Sequence, residues 1–189
     1  MSTAIQKIRD GVIDTGGIEK AALIAFIKVE SGGKGFANDG RLLIQFEPHW
    51  FRKQSPYAPS GAWSVNKIDR QSAEWVAFED AAQHDLEAAI KSTSLGLPQI
   101  MGFHYERLGY ETPLKMWSDF SESEDKQIAA LVRFIKSDKR LYKAILAKDW
   151  HTIASIYNGS KYRELAERIG REPYDQSMQK EYFRELGQY

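Results

Sequence analysis

The chain has 189 residues, and its 26 Lys and Arg are balanced by 26 Asp and Glu, so no overall field recruits nucleic acid or an anionic membrane. It contains no cysteine, which excludes disulfides, thiol nucleophiles and thiolate metal sites together. The length suits one domain with a substantial core, burying roughly 70% of the surface that the unfolded chain exposes.

Met1 to Asp14 alternates charged and apolar residues without a continuous apolar run. No secretory signal is read there, and synthesis in the cytoplasm is the expectation. The longest apolar run, Ala21 to Ile27, is seven residues, far short of the ~20 that a bilayer span needs. With no Gly or Pro before Gly32, that run predicts a helix apolar nearly all round and therefore buried. Glu30 stands at its end. Burial and the negative end of the helix dipole both disfavour a charge there, so its pKa is expected to rise, as a general acid at neutral pH requires. Ser31-Gly32-Gly33 stops the helix and brings the backbone out beside a cleft. The plainer alternative is a Glu that snorkels to solvent at a frayed helix end.

Asn38-Asp39-Gly40 is turn chemistry between Phe36 and the β-prone Leu42 to Phe46, which predicts a small hairpin over 36–46. Pro48 fits the first turn of a short helix with Glu47 just before it. Glu47 is thus either a second carboxylate leaving a strand end or an acidic residue stabilising a helix start. Ser55 to Asn66, holding Pro56, Pro59 and Gly61, reads as a loop that Trp63 packs down. Ile68 to Lys91 has helical spacing of apolar residues, in one piece or two.

In Ser92 to Gly102, Gly96 and Gly102 bracket an expected short apolar helix opened by Pro98. Gln99 is its one strongly polar side chain, and either satisfies loop backbone or faces a cleft to hold substrate or water. From Thr112 onward the chain reads as successive short helices. Pro113 opens one, and a capping box over Ser121 to Glu124 starts the next, with the stripe Ile128, Leu131, Val132 and Ile135. Leu141 to Ala147, Trp150 to Ile156, and Tyr162 to Leu186 with a break near Pro173 follow, the last closing the core. Tyr157-Asn158-Gly159 is a helix stop that also presents a phenol and an amide. Ten basic against four acidic residues lie between Leu131 and Arg171. That excess is either a solvated face or steering toward an anionic polymer. The four histidines lack metal-ligand spacing, and there is no G-x-S-x-G elbow and no glycine-rich phosphate cradle, which leaves carboxylate chemistry.

Taken in order, Val29-Glu30-Ser31-Gly32-Gly33-Lys34-Gly35-Phe36, Ile44-Gln45-Phe46-Glu47-Pro48-His49-Trp50-Phe51, Ser92 to Gly102 and Tyr157-Asn158-Gly159 resemble the successive blocks of the N-acetylmuramidase domain family of phage and prophage endolysins. The resemblance covers nearly the whole chain. It implies a mainly α, lysozyme-like fold and cleavage of the β-1,4 bond between N-acetylmuramic acid (MurNAc) and N-acetylglucosamine (GlcNAc) in bacterial peptidoglycan, with no cofactor. Carried over by position, it makes Glu30 the catalytic acid and Glu47 the candidate second carboxylate, and puts Ser94, Gln99, Tyr157 and Asn158 in the sugar cleft. Where the family usually has Ser-Trp-Gly-Leu-Phe-Gln-Ile-Met-Gly, this chain has Ser94-Leu95-Gly96-Leu97-Pro98-Gln99-Ile100-Met101-Gly102, so a sugar-stacking Trp gives way to Leu95. Pro48 stands where a basic residue is common.

Two other classes share parts of this pattern. A lytic transglycosylase also carries Glu-Ser and a Gly-Leu-x-Gln-Ile block, usually closer together, and uses the sugar's own hydroxyl in place of water. A non-catalytic wall-binding module gains nothing from a buried acid. The expectation is a single monomeric catalytic domain over 1–189 that acts on peptidoglycan after release from the cytoplasm, without nucleic acid or stable membrane insertion.

Overall fold

The computed structural model describes residues 3–55 and 71–187. Apart from Ser55, the loop expected up to Asn66, with Trp63, lies outside those residues, as do Ile68 to Arg70 of the helix expected next. The chain divides into two compact units, one of Met1–Gly33 with Ala129–Tyr189 and one of Lys34–Ile128.

The first unit is helical. It holds α1 (Thr3–Arg9), α2 (Lys20–Ser31), the later part of α7 (Glu124–Ser137), α8 (Lys139–Ala147), α9 (Trp150–Tyr157), α10 (Tyr162–Arg168) and α11 (Tyr174–Glu185). Ala22 to Ile27 of α2 are completely buried, as an all-round apolar helix must be. α11 packs along α2 and against α9. Short helices start where an aspartate caps them: Asp138 accepts from the Arg140 and Leu141 N–H groups, and Asp149 from that of Thr152. Glu185 accepts from Arg9 at 2.5 and 2.9 Å and from Lys28 at 3.0 Å, tying α11 to α1 and α2.

The second unit holds α3 (Pro48–Gln54), α4 (Gln71–His84), α5 (Leu86–Lys91), α6 (Pro113–Glu122), the start of α7, and the strands β1 (Ile44–Phe46), β2 (Thr93–Leu95) and β3 (Ile100–Met101). The strands form one antiparallel sheet in that order, with Ile44, Leu95 and Ile100 in a buried row across it. The expected hairpin over 36–46 is present as a tight reversal in which Phe36 bridges Leu42. Its outgoing strand, however, finds its partner in β2.

Two expectations are corrected. The segment between Gly96 and Gly102 is not a helix but the β2–β3 hairpin, with Gly96 at φ +63° and Gln99 at φ +48° in its turn. Pairing with β1, distant in sequence, supplies a ladder that local propensity does not reveal. Ser121 lies inside α6, and α7 starts at Glu124 after Ser123, whose hydroxyl accepts from the Lys126 N–H at 3.3 Å.

Side chains complete the backbone pairing of this unit. Gln71 of α4 accepts from the Ile44 N–H at 3.0 Å and donates to the Ile44 carbonyl at 2.6 Å, while the buried Glu74 accepts from the Phe46 N–H at 2.7 Å. The fully buried Gln127 accepts from the Leu97 N–H at 2.8 Å and donates to the Phe120 carbonyl at 2.7 Å. That close fit explains the glycines of the motif. A Cβ on Gly96 would lie 2.4 Å from the Gln127 side-chain oxygen, and one on Gly102 would lie 2.0 Å from the Ile90 carbonyl oxygen. Among the described residues no helix is long and apolar enough to cross a membrane.

Candidate active site

Glu30 sits at a well-made helix end, not a frayed one. Gly32 adopts the left-handed conformation, φ +64°, and its N–H donates to the Lys28 carbonyl at 2.9 Å. The Ser31 hydroxyl bonds back to the Ile27 carbonyl at 3.1 Å. The Glu30 side chain accepts a hydrogen bond from the Tyr174 phenol, at the first residue of α11. Burial pushes the Glu30 carboxyl up to about 7, while the Tyr174 hydrogen bond pulls it down. Tyr174 itself is held well above its ordinary value, by burial first and then by the neighbouring Glu30.

Tyr157 forms an aromatic wall on the same unit. Its ring lies 6.4 Å from that of Tyr174 at 24°, and meets Phe26, one turn before Glu30 on α2, edge-on at 4.7 Å. Phe134 closes the cluster at 5.6 Å. Asn158 ends α9 through its N–H, bonded to the Ala154 carbonyl at 2.9 Å, and its exposed side chain lines a cavity next to α10.

From the sequence, Tyr174 is expected only in the segment that closes the core. The readable signal was Pro173-Tyr174-Asp175, a proline-marked helix start that offers an aromatic side chain. That start is anchored firmly. Buried Asp175 pairs with Arg163 and bonds to Tyr162, whose hydroxyl is 2.8 Å from His151 Nδ1.

The other predicted residues belong to the second unit. Glu47 stands at the N-cap position of α3, and its carboxylate makes no capping hydrogen bond there. It accepts instead from Gln45 at 3.0 Å and lies 3.4 Å from His49 Nδ1. Burial raises its pKa, with His49 and Gln45 acting in the opposite direction. Gln45, Ser94 and Met101 stand opposite one another across the sheet, and the Ser94 hydroxyl is 3.0 Å from Met101 Sδ. Gln99 turns its amide back to the Gly96 carbonyl at 2.8 Å, so its amide nitrogen satisfies loop backbone. Among the described residues no group of three or more His, Asp or Glu is placed to hold a metal ion.

A protonatable carboxyl at the end of a buried helix, in a mainly helical chain with a small antiparallel sheet, suits a glycoside hydrolase of the lysozyme type. A family model described as N-acetylmuramidase matches residues 19–185, and the chain belongs to that family. It is also similar to the crystal structure of the Burkholderia AP3 phage endolysin, with a TM-score of 0.75 at 31% identity, covering 97% of this chain and 69% of that one. No curated protein matches the chain. The chain is a peptidoglycan-cleaving muramidase, with the fold that the sequence resemblance implied. Neither comparison points to a lytic transglycosylase or a non-catalytic wall-binding module.

Proposed function

We propose that Glu30 is the general acid that protonates the leaving oxygen of the MurNAc to GlcNAc β-1,4 bond. The observation that carries this is a carboxyl held near neutrality, about 7, by burial and oriented by the Tyr174 phenol. Glycoside hydrolysis needs a protonated carboxyl at the leaving oxygen and a carboxylate or positioned water to meet the oxocarbenium-like charge. Glu47, free of capping duty, supplies the second group. Tyr157 and Asn158 contribute an aromatic wall and a free amide to the sugar sites. Ser94 contributes its hydroxyl and Gln99 the oxygen left over from its turn bond.

With water as acceptor, the product is a free reducing-end MurNAc, which mass spectrometry of digests of purified sacculi reads directly. A 1,6-anhydro-MurNAc product would move the enzyme to the transglycosylases, and a GlcNAc reducing end would make it a glucosaminidase. In this reading the chain acts on the bacterial wall as a monomer. Its balanced charge, 26 against 26, supports action without nucleic acid.

A further inference from the structure

A cavity of about 560 Å³ opens between the end of α9 and α10, lined by Asn158, Lys161, Glu164, Leu165 and Arg168. Its chemistry is unlike that of a site for neutral sugar. It presents two cations and one anion around a leucine that is 42% exposed. The Lys161, Glu164 and Arg168 side chains make no hydrogen bond or ion pair among the described residues. Elsewhere in this unit Arg9 and Lys28 pair with Glu185, Lys148 with Glu19 and Lys180 with Glu172, whereas Lys139, Arg140, Lys143 and Arg171 are solvated singly. Only in the cavity do two such cations, Lys161 and Arg168, stand round one concavity with an anion, Glu164. Unmatched charges of both signs in one concavity suit a ligand that brings both signs itself.

Peptidoglycan has one such part. The stem peptide on MurNAc carries free carboxylates and, at its diamino acid, an ammonium group, whereas the glycan is uncharged where the stem is attached. The cavity is placed to meet it. Asn158 follows Tyr157, whose ring stacks on Tyr174, the residue bonded to Glu30. The cavity therefore adjoins the aromatic wall beside Glu30.

We propose that this cavity is a stem-peptide subsite, in which Lys161 and Arg168 take the carboxylates and Glu164 the ammonium. Leu165 covers the aliphatic part. The inference rests on the muramidase reading.

The test compares wild type with the double variant Lys161→Gln/Arg168→Gln on two substrates, glycan strands bearing stem peptides and the same strands stripped by an amidase. All three charged side chains are on exposed residues, so folding is retained. Loss of charge-assisted hydrogen bonds should lower kcat/KM about tenfold or more on the peptide-bearing strands and less than about twofold on the stripped ones. Equal loss on both overturns the proposal, since stripping uncovers the lactyl carboxylate and the cations would then serve the sugar itself. No loss on either also overturns it. An independent reading is an NMR titration with the free tetrapeptide L-Ala-D-Glu-diaminopimelate-D-Ala, which should shift the signals of Lys161, Leu165 and Arg168. Absence of those shifts overturns the subsite even in an enzyme that cleaves normally. A wild type that shifts with the tetrapeptide but releases no reducing-end MurNAc would instead count against the muramidase reading alone.

Discussion

The phenol of Tyr174 donates to the Glu30 carboxylate, joining two residues 144 positions apart in the sequence. Burial alone would push this carboxyl higher, and the phenol restrains it, so the acid settles at about 7. A general acid works best with a pKa near the operating pH, because it is then protonated often and gives up its proton readily.

Replacing Glu30 by Gln should abolish wall cleavage while leaving the fold intact. Loss of a general acid costs about 100-fold to 10,000-fold, and an isosteric amide still accepts the Tyr174 hydrogen bond. Turbidity loss of sacculi, with circular dichroism on the same sample, measures both. Near-normal turnover by folded variant would remove Glu30 from the mechanism.

The same substitution should reveal the cost of keeping the acid. The folded pKa of about 7 lies above the ordinary 4.5, so the folded chain holds the proton more tightly than the unfolded one. Its contribution to stability is full below pH 4.5, declines as pH rises to 7, and levels off above that. With allowance for partial solvent contact, Glu30→Gln should be more stable than wild type by roughly 2 kcal/mol at pH 8 and about equal at pH 4. Thermal melts at the two pH values, differing by about 4–8 °C at pH 8, check the sign.

Tyr174→Phe keeps the ring that stacks on Tyr157 but removes the donor to Glu30. The Glu30 pKa should rise, and the descending limb of kcat/KM against pH should move to higher pH. A limb that stays in place would show that the phenol does not set the acid's titration.

Glu47→Gln should lower activity by about 100-fold or more with the fold retained, because the side chain serves neither a helix cap nor the core. Retention at the anomeric carbon would make Glu47 a nucleophile, and inversion a base that activates water. NMR of the first-formed product anomer reports this. Normal cleavage by the variant would leave Glu30 working with water alone.

Gln127→Leu should destabilise the chain by about 2–4 kcal/mol, since it strands the buried Leu97 N–H and Phe120 carbonyl together. Urea denaturation measures it. A loss below 1 kcal/mol would mean that water reaches both groups, an outcome set against the roughly 1–3 kcal/mol typical of one orphaned buried group.

The parts of the site that are local in the chain were legible in the sequence. Seven apolar residues, Glu30 and a glycine stop specify α2 and its acid without help from elsewhere. The same holds for α6 and α9, expected from Pro113 and Trp150, while α8 begins at Lys139, two residues before the expected Leu141, because the Asp138 side chain caps its first turn. What was not legible depends on partners far along the chain. Pro98 and Gln99 read as a helix start because the ladder that makes them a hairpin turn comes through β2 from β1. Tyr174 read as packing because its role exists only once α11 lies along α2.

The clasp that Gln71 and Glu74 place on Ile44 and Phe46 bears on how this protein meets other chains. An exposed strand margin is an invitation to any extended polypeptide, which can add itself by main-chain pairing and propagate into aggregates. On this margin the invitation is withdrawn. The donor and acceptor of Ile44 and the donor of Phe46 are already engaged, so a newcomer would first have to evict two side chains, one of them a buried carboxyl. The molecule can thus accumulate without self-templating along β1, and a peptide ligand has to be gripped there by its side chains or not at all.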